Sequence, residues 1–503
     1  MICNVVEYLQ HAATIYPQKT AFSDEQGTLC FSELNERSRT LACIINASIK
    51  GGIRKPIGIF LPKSVNCIIS FFAVAYSGNF YTPIDITMPK LRLAKLISIL
   101  LPAVIITDSA HKDAAHEISP SSMIITMDNI HSEIYKYSIL DSIQQSIIDT
   151  DPLYVMFTSG STGVPKGVII DHRAVIDYTE WLADTFCFSE HTIFGNQAPF
   201  YFDNSILDIF STVKNACSTI IIPEELFLSA KRLCNFLIDN KINTIFWVPS
   251  ALVLVANSGV LDTVSPITLE KILFCGEVMP TKQYNIWKRA VPSAMYANLY
   301  GPTEITDVCT YFIIDRDIND DESLPIGRPC RNTEALVINE DNKLVTGNDV
   351  GELYIRGTCL AHGYYGNQEK TTAAFIQNPL NEKYPDIVYC TGDLVKYNSF
   401  GELLFVGRKD YQIKHMGHRI ELGEIETATG LFPPVAQSCA MYNIDKQAIT
   451  LYIAPEDVDK TLVYQHLKTC LPQYMLPAVI VTTHELPLNP NGKIDRIKLK
   501  AGL

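Results

Sequence analysis

Long apolar runs are missing from this 503-residue sequence, and so is a basic start leading into an apolar stretch. The opening MICNVVEYLQHAA has neither feature. The greasiest segments, Cys67–Tyr76 and Leu91–Thr107, are short or interrupted by Arg, Lys, Ser and Pro102. The expectation is a chain without a signal peptide or a membrane span. CxxC pairs and metal-like Cys/His spacings are also absent, although there are 14 cysteines. Scattered thiols in so long a chain read as reduced, mostly buried residues of a cytoplasmic protein rather than a disulfide framework. Runs of one charge are lacking too. With 41 Lys+Arg against 54 Asp+Glu the net charge is −13, which repels polyphosphate backbones and argues against nucleic acid or an anionic membrane as partner. The acidic DINDDES (317–323) reads as a solvated loop. No repeat or low-complexity tract appears.

What is present is a globular composition, 47% hydrophobic and 19% charged, of a length that suggests roughly three domains. Between residues 56 and 107, IGIFL, Val65–Ser77, FYTPI, Leu91–Leu100 and AVIIT alternate short apolar runs with helix-like stretches. This βαβαβ rhythm implies a parallel sheet covered by helices. It returns with STIIIP (218–223), Leu228–Asn240, TIFWVP (244–249) and KILFCG (271–276). From about Pro325 to Gly407, EALVI, GELYIRG and GELLFVG are short strands between Gly, Asn and Asp turns. After Arg408 a tail of short strands and helices ends in LPLNPNGKIDR.

The strongest chemical signal is YVMFTSGSTGVPKGVII (154–170), in which a strand enters TSGSTG, passes Val, Pro, Lys and Gly, and resumes as a strand. Backbone N–H groups freed by glycine, several hydroxyls and one cation make a cradle for phosphate oxygens. A Walker A loop would instead open a helix after GK[ST]; here Lys166 is followed by Gly167 and a strand.

With NLYGPTE (298–304), YCTGDLVKY (389–397), GRKDYQIKHMGHRIELGEIE (407–426) and NPNGKIDR (489–496), the chain resembles the adenylate-forming superfamily along essentially its whole length. It is most similar in type to stand-alone amino-acid adenylation domains and to D-alanine–carrier protein ligases. The resemblance implies an α/β fold: a large N-terminal domain (1–409) of two βαβ-type sheet subdomains plus a small β-barrel-like subdomain, then a small mobile α+β C-terminal domain (410–503). It assigns nucleotide binding to Thr158, Ser159, Gly160, Ser161, Thr162, Gly163, Lys166, Asn298, Tyr300, Gly301, Asp393 and Arg408. Tyr300 would stack on adenine, Thr303 hold the α-phosphate, Glu304 bind Mg²⁺ and Asp393 accept from the ribose hydroxyls. Lys493 would be the catalytic lysine, Asp410 the hinge, and Gly417 part of the loop that faces a thiol arm. Each residue type suits its partner: an aromatic face for a base, a carboxylate for a hard cation, a lysine for developing charge.

QAPFYFDNSILDIF (197–210) distinguishes branches of the superfamily. Asp203 stands where amino-acid adenylation domains pair an aspartate with the substrate's α-ammonium; an acid without an ammonium would leave a buried ion uncompensated. Read locally, DNSILDIF could instead start a helix with Asp203 as its N-cap. The resemblance places Asp203, Asn204, Leu207, Phe246, Leu273, Cys275, Leu299, Asp307 and Val308 around a small pocket, with Lys493 at its mouth. FCGEVMP (274–280) is similar to the D-alanine ligases, which suggests alanine. Asp307 suggests instead a substrate hydroxyl, amine or ring nitrogen, because a lone carboxylate beside a methyl group is poorly solvated. No carrier segment with a phosphopantetheine serine and no HHxxxDG motif is seen. The expectation is an ATP- and Mg²⁺-dependent ligase that loads a small amino acid onto a separate carrier protein. An acyl-CoA synthetase is the alternative.

Overall fold

The alternation between residues 56 and 107 folds as strands Pro56–Phe60, Phe80–Pro83 and Val104–Thr107 with helices Val65–Tyr76 and Lys90–Leu100 between them, in a computed structural model that describes residues 2–129, 137–160, 163–443, 446–488 and 494–501. Every residue of Pro56–Phe60 is buried, as expected of a parallel strand covered on both faces. Helix Val65–Tyr76 is apolar around its whole circumference and correspondingly buried from Cys67 to Tyr76. These strands sit in a six-stranded sheet ordered Met123–Thr126, Val104–Thr107, Pro56–Phe60, Phe80–Pro83, Pro152–Thr158, Lys166–Asp171.

A second, nine-stranded sheet runs Arg328–Pro329, Thr310–Ile313, Met295–Tyr300, Lys271–Phe274, Thr244–Trp247, Ile193–Asn196, Ser218–Ile221, Thr20–Asp24, Gly27–Cys30. Its middle is parallel, and antiparallel strands close both edges. Register fixes neighbours at the carboxyl ends of the parallel strands: Phe246 lies between Asn196 and Leu273, and Leu273 pairs with Ala297. That end of a parallel sheet is where such folds bind ligands. The segment read as barrel-like is a five-stranded antiparallel sheet, with Ile387–Tyr397 paired to Gly351–Gly357, Phe375–Gln377 and Leu403–Arg408.

The chain divides into two compact units. The first comprises Met1–Asp85, Leu101–Met156 and Gly167–Lys409; the second comprises Ile86–Leu100, Phe157–Lys166 and Asp410–Leu503. The division falls between Lys409 and Asp410 and also groups two earlier segments with the C-terminal one. In the second unit, hairpin Gln412–His415/His418–Glu421 and sheet Gln437–Asn443, Ala448–Ala454, Val479–Thr482 pack with helices Leu422–Gly430 and Lys460–Cys470 around Ile420, Ile425, Leu451 and Val463. All fourteen cysteines are free thiols. Among the described residues no helix is long and apolar enough to cross a membrane.

Candidate active site

In the first unit, strand pairing sets Asp393 directly opposite Arg408. Both are buried or nearly so, and the Arg408 guanidinium donates to Asp393 Oδ1 at 2.5 Å. The Tyr300 hydroxyl donates to Oδ2 of the same carboxylate. Two residues from two other motifs thus meet at one aspartate. Burial raises the Tyr300 phenol well above its usual range, and the Asp393 charge adds to this, so the proton stays on the phenol. Asn298 lies two residues earlier on the same strand and gives its amide to the Pro325 carbonyl at 2.8 Å.

The turn after Tyr300 is sterically closed. A Cβ on Gly301 would lie 2.3 Å from the Asp307 carbonyl oxygen, so only glycine lets the chain double back there. Thr303–Ile305 forms one 3₁₀ turn in which Glu304 is fully buried and accepts from the Tyr364 hydroxyl at 2.7 Å. Thr303, half-buried, opens that turn. A single carboxylate is what Mg²⁺ commonly takes from a protein when substrate phosphates and water complete its shell, so Glu304 fits that ion. No cluster of three potential metal-ligating side chains occurs among the described residues.

Thr306 and Asp307 follow with φ of +62° and +70°, consecutive left-handed conformations at residues other than glycine. Val308 N–H donates to Thr306 O at 2.9 Å, closing a tight three-residue γ-turn on Asp307. The Thr306 hydroxyl holds the turn by donating to Cys359 O at 2.8 Å. Asp307 is 2% exposed and accepts from the Tyr178 hydroxyl at 2.7 Å. Tyr178, on helix His172–Phe186, thus supplies this carboxylate with a donor from within the protein, a partner that the sequence-based reading of Asp307 did not include. Cys275, Leu207, Phe246, Leu273, Leu299 and Val308 are all buried in one apolar cluster with Tyr178 and Tyr154.

Asp203 is also buried, immediately before helix Ser205–Asn215, whose capping position is taken by the half-buried Asn204. The helix-start reading of this segment thus locates a helix two residues later than Asp203. One turn into that helix, Asp208 is 1% exposed; its Oδ2 accepts from the Asn196 amide at 2.8 Å and its Oδ1 has no hydrogen-bond partner among the described residues. Burial pushes its carboxyl up to about 7, with Asn196 and Lys63 pulling the other way. Lys63 donates to Gln197 O at 2.9 Å and is itself brought down to about 8 by burial.

In the second unit the phosphate-loop residues take positions set by backbone sterics. A Cβ on Gly160 would lie 2.1 Å from Val164 O, and Gly163 has φ +71° and donates to Gly160 O at 2.9 Å. The Ser159 hydroxyl donates to Arg419 O at 2.6 Å, Lys166 Nζ lies 3.7 Å from Glu421, and Lys95 donates to Gly163 O at 3.1 Å. Thr158 Oγ1 is buried with no partner among the described residues, an unmet hydroxyl in keeping with an oxyanion ligand. Arg92 and Glu424 form a buried ion pair nearby in sequence to these groups. Met416 (φ +52°) and Gly417 (φ +78°) form the two-residue tip of the hairpin, the left-handed pair such tips require. Asp410 is exposed and accepts from Gln412 N–H at 3.1 Å. Ser161, Thr162 and Lys493 lie outside the described residues.

Sequence reasoning missed Tyr178, Tyr364, Lys63 and Asp208. Tyr178, Tyr364 and Lys63 stand outside the motifs and meet partners far away in sequence, whereas Asp208 stands inside the 197–210 segment and meets Asn196 twelve residues before it. A hollow of about 480 Å³ bordered by Asn332, Glu334, Arg356 and Asp386 contains no motif residue.

The family described as AMP-binding enzyme matches residues 9–365. Among curated relatives, D-alanine–D-alanyl carrier protein ligase of Lacticaseibacillus rhamnosus is 29% identical over 100% of this chain and 99% of its own length. Tyrocidine synthase 1 of Brevibacillus parabrevis is 28% identical over 98% of this chain, which spans only 44% of that protein. The chain likewise spans 7% of tyrocidine synthase 3 of the same organism, at 32% identity. Among solved structures, the Vibrio cholerae adenylation domain AlmE, in complex with glycyl-adenosine-5′-phosphate, superposes with a TM-score of 0.85 at 20% identity, covering 100% of this chain and 98% of that one. With the nucleotide motifs converging on Asp393 and the family match running through the phosphate loop and YGPTE, the chain belongs to the AMP-binding, adenylate-forming enzymes.

Proposed function

We propose that the protein is an AMP-forming ligase that activates a small amino acid with ATP and passes the aminoacyl group to the phosphopantetheine thiol of a separate carrier protein. The names of its relatives, a D-alanyl carrier protein ligase and peptide synthetases, support this reading. So does the glycyl-adenylate held by a structural neighbour. In the first half-reaction a substrate carboxylate attacks the α-phosphate in line, forming an acyl–phosphate bond and releasing pyrophosphate. Asp393 would take the ribose diol, Tyr300 the adenine face, Thr303 the α-phosphate, and the 158–166 loop the remaining phosphate oxygens. Mg²⁺ held by Glu304 would neutralise phosphate charge. Lys493 would meet charge developing between carboxylate and phosphate. In the second half a thiol adds to the activated carbonyl and AMP leaves; Asp410 would be the hinge and Gly417 the loop presented to the thiol.

The observation that carries the amino-acid reading is Asp203, a carboxylate 8% exposed at the family's α-ammonium position. Asp203→Ala would leave an ammonium unpaired at a cost of roughly 3–5 kcal/mol, a fall of a few hundredfold or more in adenylate formation. The des-amino acid with the same side chain has no cation to lose, so its poor activation would not worsen. A parallel drop for both substrates would assign Asp203 a structural role and favour the acyl-CoA synthetase alternative.

A further inference from the structure

The loop at 158–166 and the segment that begins at Arg419 belong to the same unit, and donors of the one face acceptors of the other. Three groups of the loop are of the kind that phosphate oxygens take: a hydroxyl, an ammonium and a backbone N–H. Each has an oxygen of the C-terminal segment beside it. The Ser159 hydroxyl donates to Arg419 O at 2.6 Å. Lys166 Nζ lies 3.7 Å from Glu421 Oε1, and the two side chains are only 13% and 12% exposed, so the pair is largely withdrawn from solvent. Burial raises the Glu424 carboxyl, while Arg92, the Gly160 N–H and Lys95 pull it the other way. Thr427 packs on the same loop: a Cβ on Gly163 would lie 3.3 Å from its Cγ2.

Local structure delivers these oxygens together. Strand His418–Glu421 runs straight into helix Leu422–Gly430, so Arg419 O, Glu421 and Glu424 come from one continuous stretch. Glu421 is fixed from outside the loop, because Gln412, its partner across the hairpin, donates to its Oε1 at 2.7 Å. Glu424 is fixed likewise, by its buried ion pair with Arg92. The two carboxyls are therefore held at the loop by neighbours other than the loop. A carboxylate and a phosphate oxygen both attract the same N–H, O–H and ammonium donors, and one donor cannot serve both.

We propose that segment 419–424 is an internal stand-in for phosphate: Arg419 O, Glu421 and Glu424 hold the loop's donors, and a polyphosphate must displace them to bind. The inference rests on the reading of 158–166 as the phosphate loop. Such coupling is reciprocal, so whatever the segment takes from the affinity for ATP, bound ATP takes from the attachment of the segment. Loading ATP thus releases the segment, and departure of pyrophosphate lets it return. Residues 419–424 thereby register whether pyrophosphate has left.

Calorimetric titration of the full chain with pyrophosphate and with ATP, each with Mg²⁺, tests this. Glu421→Gln keeps the shape and an acceptor for Gln412 but gives up the charge opposite Lys166, and should bind both polyphosphates at least about fivefold more tightly. Lys166→Ala should bind both at least about tenfold less tightly. Added to Lys166→Ala, Glu421→Gln should change binding by less than about twofold, since the two charges act through one contact. In the wild-type protein, pyrophosphate should speed amide exchange in the hairpin 412–421, because a two-stranded hairpin released from its support is only marginally stable. That measurement needs no substitution and stands if Glu421→Gln fails to fold. Glu421→Gln binding pyrophosphate no more tightly than wild type, an effect of equal size in the Lys166→Ala background, or unchanged or slower exchange overturns the proposal. If Lys166→Ala binds pyrophosphate as wild type does, the phosphate-loop reading itself has failed and the proposal falls with it, a result distinct from the others.

Discussion

Asp393 and Asp208 are both aspartates of the first unit, 6% and 1% exposed, and they have been given opposite surroundings. Asp393 receives a guanidinium on one oxygen and a phenol on the other. Asp208 receives one neutral amide, has an oxygen with no hydrogen-bond partner among the described residues, and senses Lys63 through its field. Burial alone therefore does not set a carboxylate's electrostatic surroundings; Asp393 has a cation as a direct partner and Asp208 does not. The difference suits the ribose role proposed for Asp393. A carboxylate balanced by arginine can serve a neutral ribose diol without importing net charge, whereas one pushed to about 7 titrates near neutrality.

The comparison is broken most severely by Arg408→Ala, which strips Asp393 of its cation. Leaving that carboxylate buried beside only a phenol should cost roughly 3–5 kcal/mol, the range for broken buried pairs. Pyrophosphate exchange should fall by about two orders of magnitude or more. Arg408→Lys should recover part of this, since lysine restores charge but not the planar fork. Nucleotide affinity and the unfolding midpoint, measured on both variants, check the expectation; wild-type values for Arg408→Ala would put Asp393 in the same class as Asp208.

The contrast also marks how far the sequence could be read. Asp393 and Arg408 are nameable because TGD and GRKD are local patterns, and the strand texture around them is legible, although neither the antiparallel pairing nor the register that sets the two opposite each other is. The strand–helix alternation from 56 to 107 was legible for the same reason: the burial period is written into adjacent residues. Lys63 and Asn196 stand in no such pattern, and the 197–210 segment that contains Asp208 does not mark it out. Asp208 falls one helical turn after Asn204 and reads as an ordinary polar position of its helix until the sheet brings Asn196 against it. Tyr178 was hidden likewise, 129 residues from its partner.

Next in size is Asp208→Asn, expected to stabilise the protein. A carboxyl raised in the folded state from 3.8 to about 7 binds its proton more tightly there than in the unfolded chain. Stability thus declines as pH rises between those values, and the full cost is present above about 7. Each pKa unit corresponds to about 1.4 kcal/mol, so the uncharged isostere should gain on the order of 2–4 kcal/mol at pH 8 and little at pH 4. Denaturant unfolding at both pH values measures the difference. A destabilised Asp208→Asn at pH 8 would mean that Asp208 is held ionised by Lys63, and the two aspartates would then be alike.

The smallest effect sharpens the comparison within Asp393 itself, by asking which of its two partners matters. Tyr300→Phe removes the hydroxyl that donates to Oδ2 and keeps both the ring and the Arg408 contact at 2.5 Å. A hydrogen bond to a charged acceptor contributes about 1.5–3 kcal/mol, and the oxygen left behind can be satisfied by water or by the ribose. The net loss of stability should therefore lie near 1–2 kcal/mol, well short of that in Arg408→Ala. If Tyr300 stacks on adenine through its face, the affinity for ATP should drop less than tenfold, because the ring remains. Discrimination between ATP and 2′,3′-dideoxy-ATP should survive, because the carboxylate proposed to read the diol is still there and still paired with Arg408. Unfolding of the nucleotide-free protein and KM for the two nucleotides separate these contributions. If Tyr300→Phe is as damaging as Arg408→Ala, the phenol and not the guanidinium is what keeps Asp393 fit for its ligand, and ion pairing no longer explains why it differs from Asp208.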